Sequence, residues 1–250
     1  MILIQQRYRS SNPARQGELD RVREINRSVS AFSELVDLDG DARRCTFADL
    51  FELAVRRFPG HSVVIANIDI AFDDSITAVS GVLAPGKLVA LTRWDDTAAP
   101  SMEGRVDDRC WRLYSQSQDA WIFLAGTLPA FRSDFQLGVP RCENRLAYEA
   151  AAACVVVVDP ALSIRTMHHH ATNVRSWKRG DAYGGPLLFP RLTTLEDHPP
   201  EAFVVVRHPR TIKRRVVLDG SAESFAAQLA RRETVAGRKL GIRSPFYWRS

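Results

Sequence analysis

Two side chains with ligand oxygens, Asn67 and Asp69, stand two residues apart directly after the short apolar run Val63 to Ala66. An unbroken apolar run of this kind is typical of a strand buried on both faces of a parallel sheet. Because side chains alternate along a strand, we expect Asn67 and Asp69 to share a face at its carboxyl end, where open α/β sheets bind ligands. Their oxygens suit a hard cation such as Mg2+ or Mn2+ that phosphates also hold. The plain alternative is that Asn67 caps a turn and Asp69 is solvated.

Three consecutive histidines, His168 to His170, follow a strand-like stretch much later in the chain. In an extended segment His168 and His170 share a face. Neutral imidazole is a good ligand for Mn2+-like ions, and protonated imidazole pairs with phosphate. Both histidines are therefore candidate ligands, with plain surface histidines as the alternative.

The elements that must position these residues begin as alternating strands and helices. We expect strands at residues 2–5, 32–36 and 63–70, with helices at residues 14–29 and 46–57 between them. Short connections of this β-α-β-α-β kind imply neighbouring parallel strands joined by right-handed crossovers. The pattern predicts an α/β fold with a mostly parallel central sheet.

The second half of the chain is less regular. The patterns indicate a short helix at 75–83, strands at 87–92, 120–124 and 155–158, a long loop at 97–115 and a helix at 143–153. Arg93, Trp94 and Asp95 close the strand at 87–92, and Trp94 either stacks on a ligand or belongs to the core. Residues 197–250 carry eleven basic and five acidic side chains. We interpret them as a basic C-terminal extension of a main domain at 1–196.

Bulk composition restricts the class of protein. The chain has 250 residues, of which 45% are hydrophobic and 25% charged, as in ordinary globular proteins. Its net charge of +5 makes anionic partners plausible. The four cysteines show no C-x-x-C or zinc spacing, which favours free thiols in a reducing cytosol, and therefore a cytoplasmic protein. No apolar run approaches the roughly 20 residues that span a bilayer.

Several phrases occur in one characteristic order: SSNPARQGELDRVREIN, ANIDIAFDDSI, KLVALTRWD, SQDAWIF, DFQLGVPRCENRLAYE and IRTMHHH. Together they resemble a group of A-type glycosyltransferase-like proteins, whose hallmark is a D-x-D motif at the carboxyl end of the strand at 63–70. The resemblance covers residues 1–180. It implies a three-layer α/β/α sandwich with a mostly parallel central sheet. It also implies metal-assisted transfer of a sugar from a nucleotide-sugar donor to a carbohydrate or other hydroxyl acceptor.

The resemblance further implies roles at the donor site. Asn67 and Asp69 occupy the D-x-D position, where a metal bridges the protein to the donor diphosphate. Asp69, His168 and His170 would be the ligands of Mn2+ or Mg2+, and Asn67 replaces the usual first acid by an amide. The end of the first strand, with Gln5 and Arg7, would bind the nucleotide together with Asn67 and Arg93.

At the acceptor site, Glu143 lies where such enzymes carry an acid that opens a helix beneath the acceptor, and it would take the hydroxyl proton. Two positions depart from the family pattern, since Arg141 replaces a glycine and Glu143 an aspartate. Asp119 would hold an acceptor hydroxyl or serve as the base instead. As alternatives, Glu143 merely favours a helix N-terminus and Asp119 belongs to a turn.

Two other functions compete with this interpretation. The basic stretches RHPRTIKRR and RRETVAGRK are compatible with a non-catalytic nucleotide- or nucleic-acid-binding module, although they contain few aromatic side chains for base stacking. A nucleotidyltransferase would need a glycine-rich loop to hold a triphosphate after the first strand, and SSNPARQ is a poor substitute. We therefore expect a glycosyltransferase.

Overall fold

A computed structural model describes residues 1–40, 43–94, 117–172, 174, 177–197, 202–207, 213–218 and 227. Its strands are β1 Ile2–Arg7, β2 Glu34–Asp39, β3 Ser62–Ala66, β4 Ile70–Phe72, β5 Lys87–Thr92, β6 Gln118–Leu124, β7 Val156–Val158, β8 Thr166–His168, β9 Leu187–Pro190, β10 Ala202–Arg207 and β11 Lys213–Leu218. The α-helices are α1 Pro13–Ser28, α2 Phe47–Arg57 and α3 Cys142–Ala152, and short 3-10 helices span Asp74–Gly81 and Arg179–Asp181.

The central sheet has six strands in the order β2-β1-β3-β6-β5-β7. The pairs β1–β2, β1–β3 and β5–β7 are parallel, whereas β6 is antiparallel to both β3 and β5. The expectation that the first three strands are parallel neighbours in one sheet is confirmed. Because β6 runs the opposite way, its first residues lie at the same edge as the carboxyl ends of β3 and β5.

The expected strand at 63–70 is wrong in its second half. β3 ends at Ala66, and a turn follows in which the Ile70 N–H donates to the carbonyl of Asn67 (3.2 Å). β4 then leaves the central sheet and pairs antiparallel with β8, which sets Ile70 opposite His168. Asn26 of α1 stabilises this departure, because its side chain donates to the Ile70 carbonyl and accepts from the Phe72 N–H, both at 2.9 Å.

Two buried apolar clusters lie on opposite faces of the central sheet. One contains Ile4 and Ile65 of the sheet, packed against Leu50 of α2 and Leu146 of α3. The other contains Leu3, Val64 and Ile122 of the sheet together with Ile76 and Val79 of the first 3-10 helix. Alternation along β1 and β3 therefore feeds two cores, as expected for strands that are covered on both faces. The architecture is α/β with a mostly parallel, mixed sheet.

Local capping sets where α1 and α2 begin. The Asn12 side chain accepts from the backbone N–H groups of Ala14 and Arg15 (3.0 and 3.1 Å), and proline stands at the first helical position. Thr46 and Asp49 form a reciprocal capping box at α2. These caps fix the phase of α1, and hence which of its side chains face the turn after β3.

The C-terminal extension contributes to a second sheet. β9, β10 and β11 form three antiparallel strands in the order β11-β10-β9, so the extension pairs with a strand that precedes residue 196. The long loop expected at 97–115 falls on positions outside the described residues. Among the described residues, no helix is both long and apolar enough to cross a bilayer.

Candidate functional site

A polar cavity of about 670 Å³ opens at the edge of the sheet where β3 and β5 end and β6 and α3 begin. It brings together seven of the nine site residues predicted from the sequence, from five separate parts of the chain. They are Asn67, Asp69, Arg93, Asp119, Glu143, His168 and His170. Gln5 and Arg7 do not line the cavity.

Asp69 lies at the bottom of the cavity and is 9% exposed. Its Oδ2 accepts a hydrogen bond from Nη2 of Arg15 at 2.5 Å, and it is 3.4 Å from Nε2 of His168 and 3.6 Å from Nδ1 of His170. One ligand atom from each of Asp69, His168 and His170 lies within 4.8 Å of the others. The turn after β3 and the end of β8 therefore create a compact carboxylate–imidazole cluster.

Charges around Asp69 set the protonation of this cluster. Burial alone would raise the pKa of Asp69, but the hydrogen bond and charge of His168, together with Arg15, hold that pKa below its usual range. Burial opposes a charge on His168 as well, yet Asp69 raises the pKa of that imidazole. For His170, burial and the Arg15 charge lower the pKa. Asp69 is therefore ionised, and His170 favours the neutral form, which is the form of imidazole that can bind a cation.

Arg15 is a candidate site residue that the sequence pattern does not single out. It is 2% exposed, although it belongs to α1, whose pattern reads as an ordinary amphipathic helix. Besides Asp69, its guanidinium contacts Oε2 of Glu18 (2.9 Å) and the carbonyl of His169 (2.7 Å). Its buried Nε–H has no hydrogen-bond acceptor among the described residues, although Arg15 lines the cavity. A ligand oxygen is one group that would satisfy this donor.

Asn67 has a role that the D-x-D comparison does not imply. Its Nδ2 donates to Oδ1 of Asp119 at 2.5 Å, and its backbone N–H donates to the Asp119 carbonyl at 3.0 Å. The other carboxylate oxygen of Asp119 accepts from Arg93 Nη1 at 3.0 Å. The Asn67 amide donates to Asp119, whereas a carboxylate at position 67 would repel it. Asn67 and Arg93 therefore hold Asp119 with both of its carboxylate oxygens hydrogen-bonded.

Glu143 lies in the first turn of α3 and lines the cavity together with Asp119. Burial, and then the negative charge of Asp119, raise the pKa of Glu143 to about 8. The Cys142 thiol donates to its Oε2 at 3.3 Å. A carboxyl group with such a pKa is mostly protonated at neutral pH and, once ionised, is a stronger base than an ordinary glutamate.

Arg141 precedes α3 in a left-handed backbone conformation, with φ 71°. A non-glycine residue there costs about 1–2 kcal/mol, and here the backbone presents a guanidinium to the cavity. With Arg15, Arg44 and Arg93, it makes four guanidinium groups among the described lining residues, against the carboxyl groups of Asp69, Asp119 and Glu143. Since Glu143 is largely neutral near pH 7, this wall carries excess positive charge that suits an anionic ligand.

The first strand reaches the cavity through other residues than those expected. Gln5 is buried, and its amide donates to the Asn67 carbonyl at 2.9 Å, so it supports the turn after β3. Arg7 pairs with Asp20 at 3.2 Å. Gln6 and Tyr8 line the cavity instead, because they alternate with Gln5 and Arg7 along the strand.

Gln6 also holds a neighbouring loop in place. Its side chain donates to the Arg43 carbonyl (2.6 Å) and accepts from the Cys45 N–H (2.8 Å), which brackets Arg44 at the cavity. Trp94, by contrast, is 8% exposed and donates to the Ala161 carbonyl at 2.8 Å, so it is a core residue.

A network of buried, hydrogen-bonded polar side chains supports the cavity from below. Asp159 is 1% exposed and accepts from the Thr92 N–H at 3.0 Å and the Thr92 hydroxyl at 2.5 Å. Gln118 donates to the Thr92 hydroxyl (3.2 Å), and Asn144 donates to Gln118 (3.0 Å). These hydrogen bonds tie the end of β5 and the start of β6 to the first turn of α3, beneath Glu143.

The residues around Asp69 fit a bound divalent cation. They offer one carboxylate and two imidazoles, a donor set that suits Mn2+ better than Mg2+, which prefers oxygen ligands. Arg15 would hold the Asp69 carboxylate in place through their ion pair without itself contacting the cation. The expected ligand set of Asp69, His168 and His170 is therefore geometrically able to hold such an ion.

Comparison with known proteins gives this chain no family assignment: no family model matches it, and no curated protein is significantly similar to it.

Proposed function

We propose that the protein is a glycosyltransferase that moves a sugar from a nucleotide-sugar donor to an acceptor hydroxyl. The observation that carries this proposal is the meeting, in one cavity, of the Asp69–His168–His170 cluster with the carboxyl pair Asp119 and Glu143. Glycosyl transfer needs positive charge at the leaving diphosphate and a base at the acceptor hydroxyl, and this cavity offers both. The phrases that resemble those of A-type glycosyltransferase-like proteins support the same proposal.

The donor diphosphate belongs on the Asp69 side of the cavity. Asp69, His168 and His170 would hold Mn2+, which would supply Lewis-acid stabilisation of the charge on the leaving group. Side chains of the protein also contribute to binding the diphosphate. Arg15 lines the cavity and holds the Asp69 carboxylate at 2.5 Å. The excess of guanidinium groups in the wall favours a ligand with two negative charges over a neutral sugar.

The acceptor belongs on the α3 side. Its hydroxyl oxygen attacks the anomeric carbon, the bond from that carbon to the diphosphate oxygen breaks, and the hydroxyl proton passes to a carboxylate. Glu143 suits this role better than Asp119, because Asn67 and Arg93 already engage both oxygens of Asp119. Asp119 would then act by raising the basicity of Glu143 through its charge.

The direct test is release of nucleoside diphosphate from a panel of nucleotide sugars with Mn2+, at pH 7 to 9. We expect at least one donor to be hydrolysed or transferred by the wild type. Asp69→Ala should lose this turnover by two or more orders of magnitude, since it removes the carboxylate that anchors the donor side. Asp74→Ala is the matched control, because Asp74 is an exposed aspartate a few residues away and does not line the cavity.

Unchanged turnover in Asp69→Ala would remove the proposed role of the cluster. Failure of the wild type to release diphosphate from any donor in the panel would contradict the proposed reaction.

A further inference from the structure

The segment from His168 to Thr172 carries both imidazoles of the cluster, but the sheet holds only its beginning. β8 ends at His168, and its pairing with β4 fixes Ile70 against His168 and nothing beyond. The backbone N–H of His169 makes one more bond, to the Asp69 carbonyl at 2.9 Å. His170 therefore lies past the last strand contact. Its Nε2 lies 2.9 Å from the Val174 carbonyl, and another element must hold the segment that bears it.

That element is the N-terminal half of α1. Glu18 accepts two hydrogen bonds from Thr172, one from its backbone N–H to Oε1 and one from its hydroxyl to Oε2, both at 2.9 Å. Arg15, one turn earlier, donates to the His169 carbonyl at 2.7 Å. The segment that bears His170 is thus tied to α1 on both sides of the imidazole.

The two α1 residues also bind each other and Asp69. Nη1 of Arg15 pairs with Oε2 of Glu18 at 2.9 Å, while Nη2 pairs with Asp69. The Glu18 side chain is 17% exposed and that of Arg15 is 2% exposed, so solvent screens these pairs only weakly. One buried guanidinium and one carboxylate therefore join three elements, namely α1, the turn after β3 and the segment after β8.

We propose that Glu18 and Arg15 are positioning residues that orient His170 and Asp69 toward each other, so that α1 sets the cation affinity of the cavity. This inference rests on the proposed function, in which Asp69, His168 and His170 bind a divalent cation. Partners that orient metal ligands without touching the metal are typically worth 10- to 100-fold in affinity. Glu18 contacts neither imidazole in the described structure, so its effect must pass through Thr172 and Arg15.

The test is a titration of the full-length protein with Co2+ alone, followed by the visible absorption that imidazole coordination gives this ion. We expect Glu18→Ala to weaken Co2+ binding 10- to 100-fold and to reduce the imidazole-dependent bands. Glu18→Gln keeps one acceptor oxygen for Thr172 and should lose less. Glu24→Ala is the matched control, since it removes an exposed glutamate from the same helix.

A milder variant guards against misfolding. Thr172→Val removes only the hydroxyl donor to Glu18 and leaves the backbone N–H bond, so we expect a loss of a few fold in Co2+ affinity. Amide hydrogen exchange, measured without metal, should rise in residues 168–172 of Glu18→Ala and stay unchanged in Glu24→Ala. Faster exchange confined to this segment would show that Glu18 holds it.

The proposed cation site and the proposed positioning role of α1 are refuted by different results. If wild-type protein binds no Co2+, the cation part of the proposed function is wrong, and the inference falls with it. If the wild type binds Co2+ with imidazole bands, and folded Glu18→Ala and Thr172→Val bind it equally well, the cation site stands and the positioning role of α1 is refuted.

Discussion

Asp159 provides the sharpest test of the buried framework beneath the cavity. Burial raises the pKa of this carboxyl group from 3.8 to about 7, despite hydrogen bonds from Thr92 and Gln118 that favour the ionised form. The folded protein therefore holds a proton on Asp159 at pH values where the unfolded chain has released it. Asp159→Asn mimics the protonated group: its oxygen still accepts from the Thr92 N–H, and the Thr92 hydroxyl is free to rotate and accept from the new amide.

The sign of the effect follows from proton linkage. Below about pH 4 Asp159 is protonated in both the folded and the unfolded protein, so burial of its charge does not lower the free energy of unfolding. Between pH 4 and 7 the folded state binds more protons than the unfolded state, so the free energy of unfolding falls as pH rises. A shift of about three pKa units corresponds to about 4 kcal/mol in full, and to about 3 kcal/mol between pH 5 and pH 8.

Urea unfolding at several pH values between 5 and 8 measures this cost. We expect the free energy of unfolding of Asp159→Asn, relative to wild type, to increase by about 3 kcal/mol from pH 5 to pH 8. Asp74→Asn, at an exposed position, should track the wild type over the same range. A constant difference between Asp159→Asn and wild type at every pH would refute the conclusion that Asp159 is protonated in the folded protein.

Two further changes test the acceptor side of the cavity. Asp119→Asn removes the charge that helps to raise the pKa of Glu143, so carboxyl ¹³C NMR should show this pKa below about 8, and an unchanged value would mean that the two groups do not interact. Arg141→Gly should raise the free energy of unfolding by about 1 kcal/mol, because glycine tolerates the left-handed backbone, as should Cys154→Gly at φ 67°. Only Arg141→Gly should also weaken pyrophosphate binding; equal weakening by both would place the anion elsewhere.

Much of the fold follows from the sequence because its signals are local. The apolar runs of β1 and β3 and the helical spacing of α1 and α2 have short links, which leave little choice of topology. The break after Ala66 was not predictable in the same way. The pattern of residues 67–70 indicates that the strand continues. Hydrogen bonds with Asn26, more than forty positions away, instead stabilise Ile70 and Phe72 outside the central sheet.

The candidate site was predictable where residue type alone carries the information. Asp69, His168 and His170 are natural ligands, and they do cluster, although the strand alternation that suggested a shared face for Asn67 and Asp69 does not apply in a turn. Arg15 and Glu18 were not predictable, since a charged pair on a helix usually lies in solvent. The sequence does not separate Gln5 from Gln6, because nothing in the local pattern shows which face of β1 meets the cavity.

The central claim is that the cavity around Asp69 binds a nucleoside diphosphate together with a divalent cation. Thermal unfolding with UDP, GDP, ADP, CDP or dTDP, each with and without Mn2+, tests it most directly, because a ligand that binds only the folded state raises its stability by about 2.7 kcal/mol at 100 times its Kd. We expect one of these nucleotides to raise Tm in the wild type, more strongly with Mn2+ than without, and Asp69→Ala to lose the Mn2+-dependent part. Equal stabilisation of wild type and Asp69→Ala, or none by any nucleotide with Mn2+, would contradict it.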